Sequence, residues 1–516
     1  MPEPDAVTKL QSALLPAGLP VLPRVRIAAR QLPGLADQAI GGDWFDATVL
    51  PGGLVALMVG EVPGGGLAAS VAAGQLRAVL SDLLATVPDL AEALAHADGF
   101  AARTPALTAA TVAVAVLDPA SGTLWHAVCG HPAPLVIAPG GRARFLDGDR
   151  SCPLGTGSAP GVTVTTLEPG ELVALYSDGL TARPGRTPAQ AIGDLAHVAA
   201  RAAAIPALPV GSPAGPAGPA DRLCQLTAEL LASGGYADDV TVLAAQRLPR
   251  PAPELHLELP ARVESLGEAR RMFGDWLAEV APLADGKDAL QLALSEIVVN
   301  AIEHAYPPGD AGSVGIYAGI GEDGLLECRV TDHGRWREPS QEEDRGNGLM
   351  LASYIAAEFA VSHPPQPAGQ PRGSRGTVVT LRCRLLRPTL LGPAVGARSG
   401  ADTWPPLRAE IPALGQVVVR GQAGDGSAEQ FAGRLLSACL GGTIALTVDL
   451  TGVTGLSSTA IRILFLVRDR LAAHRQDLVL VAEQESPVGA ALDLACLRYM
   501  GKPRPLATGQ GSRGAQ

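Results

Sequence analysis

Aromatic side chains are scarce in this 516-residue chain: Phe, Tyr and Trp supply only 3% of it. Charged residues are few as well, at 18%. Apolar residues reach 47%, so substantial cores can be buried. The abundance of Ala, Gly and Pro reads as a GC-rich coding bias as much as a physical requirement. No Lys/Arg block stands out against a formal net charge of −11, which argues against a nucleic-acid surface. No run of about 18 apolar residues is present, so no membrane-spanning helix is expected. The start, Met1-Pro2-Glu3-Pro4-Asp5, lacks the basic region and apolar core of an export signal. The seven cysteines (Cys129, Cys152, Cys224, Cys328, Cys383, Cys439 and Cys496) form no Cys-x-x-Cys pair. That scatter argues against a disulfide or zinc framework and suggests a reducing cytoplasm.

The length suits roughly three domains of about 150 residues. Pro/Gly-rich stretches near 205–220, 247–253, 364–376 and 386–406 punctuate the chain. The first reads as a flexible surface loop, because apolar strand text resumes at Val240–Leu243. Those at 247–253 and 386–406 read as interdomain linkers. The expected domains are therefore 1–247, 254–386 and 407–503. The first alternates β-like runs (Leu54–Val59, Thr111–Leu117, Leu124–Val128, Glu171–Tyr176, Val240–Ala244) with helical stretches near 66–84, 89–98 and 187–203, which predicts a layered α/β domain. The second reads as an α/β sandwich, with strands Leu255–Leu259, Gly312–Gly319, Leu325–Thr331 and Thr377–Arg384 and a helix Leu266–Val280. The third alternates strand and helix from Gln416 to Ala495, a small βα domain.

The most informative stretch is Gln291-Leu292-Ala293-Leu294-Ser295-Glu296-Ile297-Val298-Val299-Asn300-Ala301-Ile302-Glu303-His304-Ala305. Its apolar residues recur at helical spacing, and Glu296, Asn300 and His304 share one face. An acid one turn from an amide can accept a proton while the amide oxygen binds a hard cation. Downstream follow Asp332-His333-Gly334, Gly346-Asn347-Gly348 and Gly376-Thr377. These four motifs, in this order, resemble the GHKL-type ATP-binding fold, and within it the serine kinases that act as anti-sigma factors. The resemblance implies ATP with Mg²⁺ held by Asn300. Asp332 and Gly334 would lie at the adenine amino group, Gly346 and Gly348 at the phosphates, and Gly376 and Thr377 near the adenine. Glu296 would be the base that activates a serine hydroxyl. His304 suits a structural role at least as well as a chemical one.

In the first domain, acids cluster at what read as turns after strands: Asp43 and Asp46, Glu61, Asp178, and Asp238-Asp239. Carboxylates without matching His or Cys suggest Mg²⁺ or Mn²⁺, though any one of them can simply cap a turn. The ordered text Gly41-Gly42-Asp43-Trp44-Phe45-Asp46, Gln75-Leu76-Arg77, Gly130-His131-Pro132-Ala133-Pro134, Tyr176-Ser177-Asp178-Gly179-Leu180 and Asp238-Asp239-Val240-Thr241 resembles the SpoIIE-type metal-dependent serine phosphatases. That implies a layered αββα fold and two Mn²⁺ or Mg²⁺ ions held by Asp43, Glu61, Val62, Asp178 and Asp238. One departure is visible. Glu61 stands where the family usually has Asp, and Gly65 where it has His.

The third domain carries Asp449-Leu450-Thr451-Gly452-Val453-Thr454-Gly455-Leu456-Ser457-Ser458-Thr459-Ala460, which resembles the STAS-type anti-sigma factor antagonists. The resemblance implies a short loop after a strand, and Ser458 as phospho-acceptor at a helix N-terminus. Ser457 is the alternative acceptor, and either serine could serve only as a helix cap.

Together these resemblances imply an actinobacterial-type partner-switching regulator in the cytoplasm, both phosphatase and kinase. It would act on a sigma factor through reversible phosphorylation of a STAS antagonist, in cis or in trans. Neither nucleic acid nor membrane is expected as a direct partner, and self-association through the kinase or phosphatase domain is. The alternative is a nucleotide-gated docking protein whose phosphatase has decayed.

Overall fold

The computed structural model describes residues 15–32, 41–148, 150–157, 160–182, 186–204, 218–234, 239–306, 312–334, 353–363, 376–391 and 405–501. Two six-stranded sheets form the centre of the first domain. One contains Asp43–Val49, Val55–Glu61, Thr111–Leu117 and Thr123–Cys129 side by side, and the other contains Val25–Leu32, Val240–Arg247 and Leu172–Tyr176. Side chains alternate between the faces of each strand. Phe45, Leu57, Ala115, Val173 and Leu243 fill the space between the sheets. Trp44, Met58 and Val114 face the helices Gly66–Thr86 and Leu90–Arg103. On the second sheet, Ala174 and Val242 face the helices Pro188–Ala204 and Pro219–Gly234. The expected αββα layering is therefore present.

Several expectations need correction. Asp43 and Asp46 do not sit at turns; both lie inside the strand Asp43–Val49. The strand Val25–Leu32 and the helix Pro219–Gly234 were not anticipated. Helix Gly66–Thr86 is long and apolar enough to cross a membrane by length and composition, although Gln75, Arg77 and Asp82 interrupt its apolar residues. It packs as a core helix instead, burying Ala69, Ala72, Ala73, Leu76, Leu80 and Leu84. Its Arg77 also reaches into the sheet, where Nη1 lies 3.1 Å from Asp46 Oδ2.

The second domain lays the helices Ser265–Val280 and Lys287–Ala305 on an antiparallel five-stranded sheet. Phe273, Trp276, Leu294 and Ile297 pack there against Ile316, Cys328 and Leu381. The edge strand Glu358–Ser362 completes the sheet. In the third domain, Gln416–Ala423, Leu446–Leu456, Leu478–Val481 and Tyr499–Met500 pair in parallel, with Arg408–Ala413 added antiparallel at the edge. The strand runs on to Leu456, so the loop expected before Ser457 is absent.

The described parts of the two expected linkers are built into the structure. Leu386–Arg387 pairs with Leu19–Pro20, and Leu390–Leu391 extends the second sheet beside Val25–Leu32. Arg387 is buried, donating to Ile27 O and pairing with Asp221 at 2.6 Å. The 247–253 stretch is also tied down. Ala252 N donates to Pro23 O, and the Trp276 indole N–H donates to Pro253 O. Backbone pairing thus joins the first two domains. The predicted loop at 205–220 lies outside the described residues up to 217, as do 364–375 and 392–404.

Candidate functional site

Alternation along the strands explains the phosphatase-like site. Asp43 stands directly opposite Glu61 on neighbouring antiparallel strands. Both have the parity of Phe45, Leu57 and Val59, so both face the space between the sheets, at its end. They are buried, with 8% and 7% exposed. From the second sheet Thr241 Oγ1 donates to Asp43 Oδ2 at 2.9 Å. Ser177 Oγ accepts from Thr241 N at 2.9 Å, which places Asp178 beside this mouth. A Cβ on Gly41 would overlap the Asp239 carboxylate, so a side chain here would have to displace that acid. Likewise a Cβ on Gly42 would come within 1.8 Å of Val62 O.

Asp46, on the opposite face, has a different role. It accepts from Arg77 and from Ser81 at 2.9 Å, anchoring the helix to the sheet. His131, quoted in the motif, is buried and shares a 2.8 Å hydrogen bond through Nδ1 with Thr111 Oγ1. Burial pushes its pKa down to about 3, so it is a neutral strut. Thr111 is the register partner of Glu61 on the other side, so His131 supports the strand end that carries the acid. Gly65 is the N-cap of Gly66–Thr86 and makes no side-chain cap.

The donor set on view is all oxygen: the carboxylates of Asp43, Glu61 and Asp178 and the carbonyl of Val62. That chemistry fits a hard divalent cation. Asp238 lies outside the described residues, and among those described no group of three His, Cys, Asp or Glu closes into a metal site.

The second site lies where the strand Leu325–Asp332 ends beside Thr377. Asp332 is 5% exposed, and its Oδ1 accepts from Gly334 N at 3.0 Å and from Thr377 N at 3.3 Å. Burial raises its pKa, and those two N–H groups oppose the rise. Thr377 Oγ1 is buried beside Asp332, where it joins the two N–H groups in lowering the carboxyl pKa. Cβ atoms at Gly334 and Gly376 would each meet a backbone oxygen at 2.0 Å, so both positions require glycine. A buried carboxylate acceptor with a hydroxyl beside it suits the edge of a purine. On the helix Lys287–Ala305, Asn300 Nδ2 donates to Glu296 O at 2.8 Å, which leaves the amide oxygen for a cation. Glu296 lies one turn earlier, half-buried. His304 is exposed in the last turn. Gly346 and Gly348 lie outside the described residues.

In the third domain Ser457 caps the helix Ser458–Ala473, accepting from Ala460 N at 3.3 Å. Ser458 is the first helical residue and half-buried. Among the described residues, sequence reading missed Thr111, and it gave no role to Thr241 or to the Asp239 contact, both within a quoted motif. Each acts across long sequence separations with no motif spacing to reveal it.

Comparison with known proteins agrees with this geometry. The family model "Stage II sporulation protein E (SpoIIE)" matches residues 51–248, starting just past Asp43, and "Histidine kinase-like ATPase domain" matches 259–383. The crystal structure of the RsbU and RsbW domains of Rv1364c from Mycobacterium tuberculosis is 34% identical, with a TM-score of 0.62. The match covers 72% of this chain and 98% of that one. The anti-sigma F factor of Heyndrickxia coagulans is 33% identical over 144 residues, 26% of this chain and 92% of that protein. The serine-protein kinase RsbW of Oceanobacillus iheyensis is 30% identical over 80 residues, 16% of this chain and 50% of its own length. The chain therefore belongs to the family of partner-switching regulators in which a SpoIIE-type phosphatase domain is joined to an anti-sigma factor serine-kinase domain.

Proposed function

We propose that this chain controls a sigma factor through the phosphorylation state of a STAS-type antagonist, its own third domain or a separate protein. The observation that carries the reading is the buried Asp332 carboxylate beside Thr377, within the same chain as the buried Asp43–Glu61 pair. In the kinase half, Asp332 accepts from the adenine amino group and Asn300 offers its amide oxygen to Mg²⁺. Glu296 takes the proton of the attacking serine, and Ser458 is the acceptor. Ser457 is already engaged as the helix cap, which favours Ser458.

In the phosphatase half, Asp43, Glu61, Asp178, Asp238 and the Val62 carbonyl would hold two Mn²⁺ or Mg²⁺ ions. Such ions supply charge neutralisation at a phosphate and lower the pKa of bound water. Thr241 orients Asp43, and His131 with Thr111 steadies the Glu61 strand. The reading of a decayed phosphatase is not favoured, because Glu61 stands in register with Asp43 and turned to the same face. A sigma-factor partner places the chain in the cytoplasm, with homodimerisation a further property to measure.

The test is intact-mass spectrometry of the purified chain. Incubation with ATP and Mg²⁺ should add one phosphate, located at Ser458, and Mn²⁺ after ATP removal should take it off. Label on Ser457 or Thr459 overturns the acceptor assignment. No label on this chain or on an added STAS antagonist overturns the kinase reading.

A further inference from the structure

The third domain rests on the phosphatase at three points, and all three surround the end of the sheet that carries Glu61. Arg462, in the helix Ser458–Ala473, donates from Nη1 to Pro63 O at 3.3 Å. The same nitrogen lies 3.9 Å from the place a Cβ on Gly64 would take. Pro63 and Gly64 directly follow Glu61-Val62. Ala109, two residues before the Glu61 partner Thr111, is buried in the third domain's core cluster, alone of the described residues of the other domains. Cys496 hydrogen-bonds to Cys152, which follows the short strand at Ser151 paired with Cys129.

Ser458 and Arg462 are four residues apart on one helix, so they share a face and lie about 6 Å apart along its axis. The acceptor position therefore stands one turn from the residue that touches the metal loop. We propose that the third domain is docked on the phosphatase as its intramolecular substrate. Arg462 is the positioning residue that seats the first turn of the helix beside the Glu61 loop. This deepens the function proposed above and rests on its assignment of Ser458. One water is consumed in the step. Its oxygen bonds to phosphorus, the bond from phosphorus to Ser458 Oγ breaks, Oγ takes up a proton from that water, and inorganic phosphate leaves. Docking in one chain makes the step unimolecular, at an effective concentration that short tethers set in the millimolar range.

The experiment uses the full chain, phosphorylated with ATP·Mg²⁺ and then freed of nucleotide. Loss of phosphate after Mn²⁺ addition is followed by intact mass over a hundredfold range of protein concentration. The first-order rate constant should not change across that range. Arg462→Ala should lower it at least tenfold relative to hydrolysis of p-nitrophenyl phosphate by the same variant, and Arg462→Lys should recover part of the loss. A rate proportional to concentration, or Arg462→Ala at the wild-type ratio, overturns the proposal. Oxidation with diamide reads docking without any enzymatic step: it should yield a Cys152–Cys496 disulfide within one chain, formed more slowly in Arg462→Ala. If p-nitrophenyl phosphate is not hydrolysed at all, the phosphatase reading is what has failed. Absence of the disulfide in the wild type overturns the docking by itself.

Discussion

Arg387 joins the kinase domain to the phosphatase domain, and replacing it by Met should uncouple them. Its side chain is 6% exposed and that of Asp221 is 13% exposed, with 2.6 Å between them. Removing one partner of a buried pair leaves the other charge without compensation, at about 3–5 kcal/mol. Arg26 lowers that figure. Its own pKa is depressed, first by burial and then by the Arg387 charge, and it is already drawn to Asp221. Once Arg387 is gone Arg26 can turn toward the carboxylate, so the lower bound of about 3 kcal/mol is expected. That energy corresponds to a factor of roughly 150 in the local opening equilibrium. Hydrogen exchange reads it where the domains meet, at Asp285 N, bonded to Leu386 O at 3.0 Å, and at Val21 N, bonded to Leu385 O at 3.4 Å. Asp221→Asn should cause a loss of the same order. The double variant Asp221→Asn/Arg387→Met should regain most of the protection, because no buried charge is then orphaned. Protection within threefold of wild type in both single variants, or a double variant no better than the singles, refutes the reasoning.

His131 titrates far below an ordinary histidine, near pH 3, so the unfolded chain binds a proton there that the folded one refuses. Phosphatase-domain stability should therefore fall as pH drops from about 6.5 toward 3, at up to about 1.4 kcal/mol per pH unit from this group, and His131→Asn should flatten a urea-midpoint profile over that window. Asp332→Asn keeps an acceptor for Gly334 N and Thr377 N but turns an NH₂ toward the purine, so calorimetry should show ATP binding weaker by about ten- to a hundredfold; unchanged affinity removes the adenine assignment. Glu61→Asp restores the shorter acid, and turnover of p-nitrophenyl phosphate with Mn²⁺ should rise about tenfold if the extra methylene misplaces the carboxylate. Equal inertness of both forms, without Mn²⁺ binding, removes the metal assignment.

Sequence legibility followed how each segment is buried. Thr111–Leu117 and Ser458–Ala473 read cleanly because their apolar periods are uninterrupted and their burial follows those periods. Asp43–Val49 was mistaken for a turn because a glycine pair and two acids look like punctuation. Those acids are buried within a strand because Thr241, Arg77 and Ser81 come to them from elsewhere in the fold. Val25–Leu32 was missed because its polar residues Arg26, Arg30 and Gln31 do not keep one face: Gln31 falls on that of Val25, Ile27 and Ala29. Two of them have tertiary partners: Arg26 donates to Glu279 O and Gln31 to Asp43 O. Arg408–Ala413 and Glu358–Ser362 are short, mostly exposed edge strands whose few apolar residues set no clear period. The proposed kinase residues were legible as motifs, whereas the Thr377–Asp332 and Cys152–Cys496 contacts exist only in three dimensions.

The two catalytic sites stand at opposite ends of the joined domains. The kinase domain approaches the strand Val55–Glu61 near its beginning, where Glu322 lies 3.1 Å from the place a Cβ on Gly53 would take, and Glu61 is at the other end. In the kinase, the strand Val378–Arg384 starts beside Thr377 at the proposed purine site and ends beside Leu385, which meets the phosphatase. Each strand spans about 20–25 Å, so the sites are roughly 45 Å apart if the strands lie end to end. A third domain seated beside Glu61 cannot then present Ser458 to the kinase without leaving its dock. Thirteen residues, 392–404, separate it from Leu391, and that length of chain spans at most about 45 Å. Stretching such a tether is entropically unfavourable, whereas a neighbouring chain can offer its third domain without that stretch. We therefore expect phosphorylation between chains, with dephosphorylation inside one. Mixing Asn300→Ala chains, which keep Ser458, with Ser458→Ala chains, which keep the kinase, should label the former at a rate second order in protein. A wild-type labelling rate that is first order, together with no label in the mixture, would refute exchange and require that the tether carry the domain across.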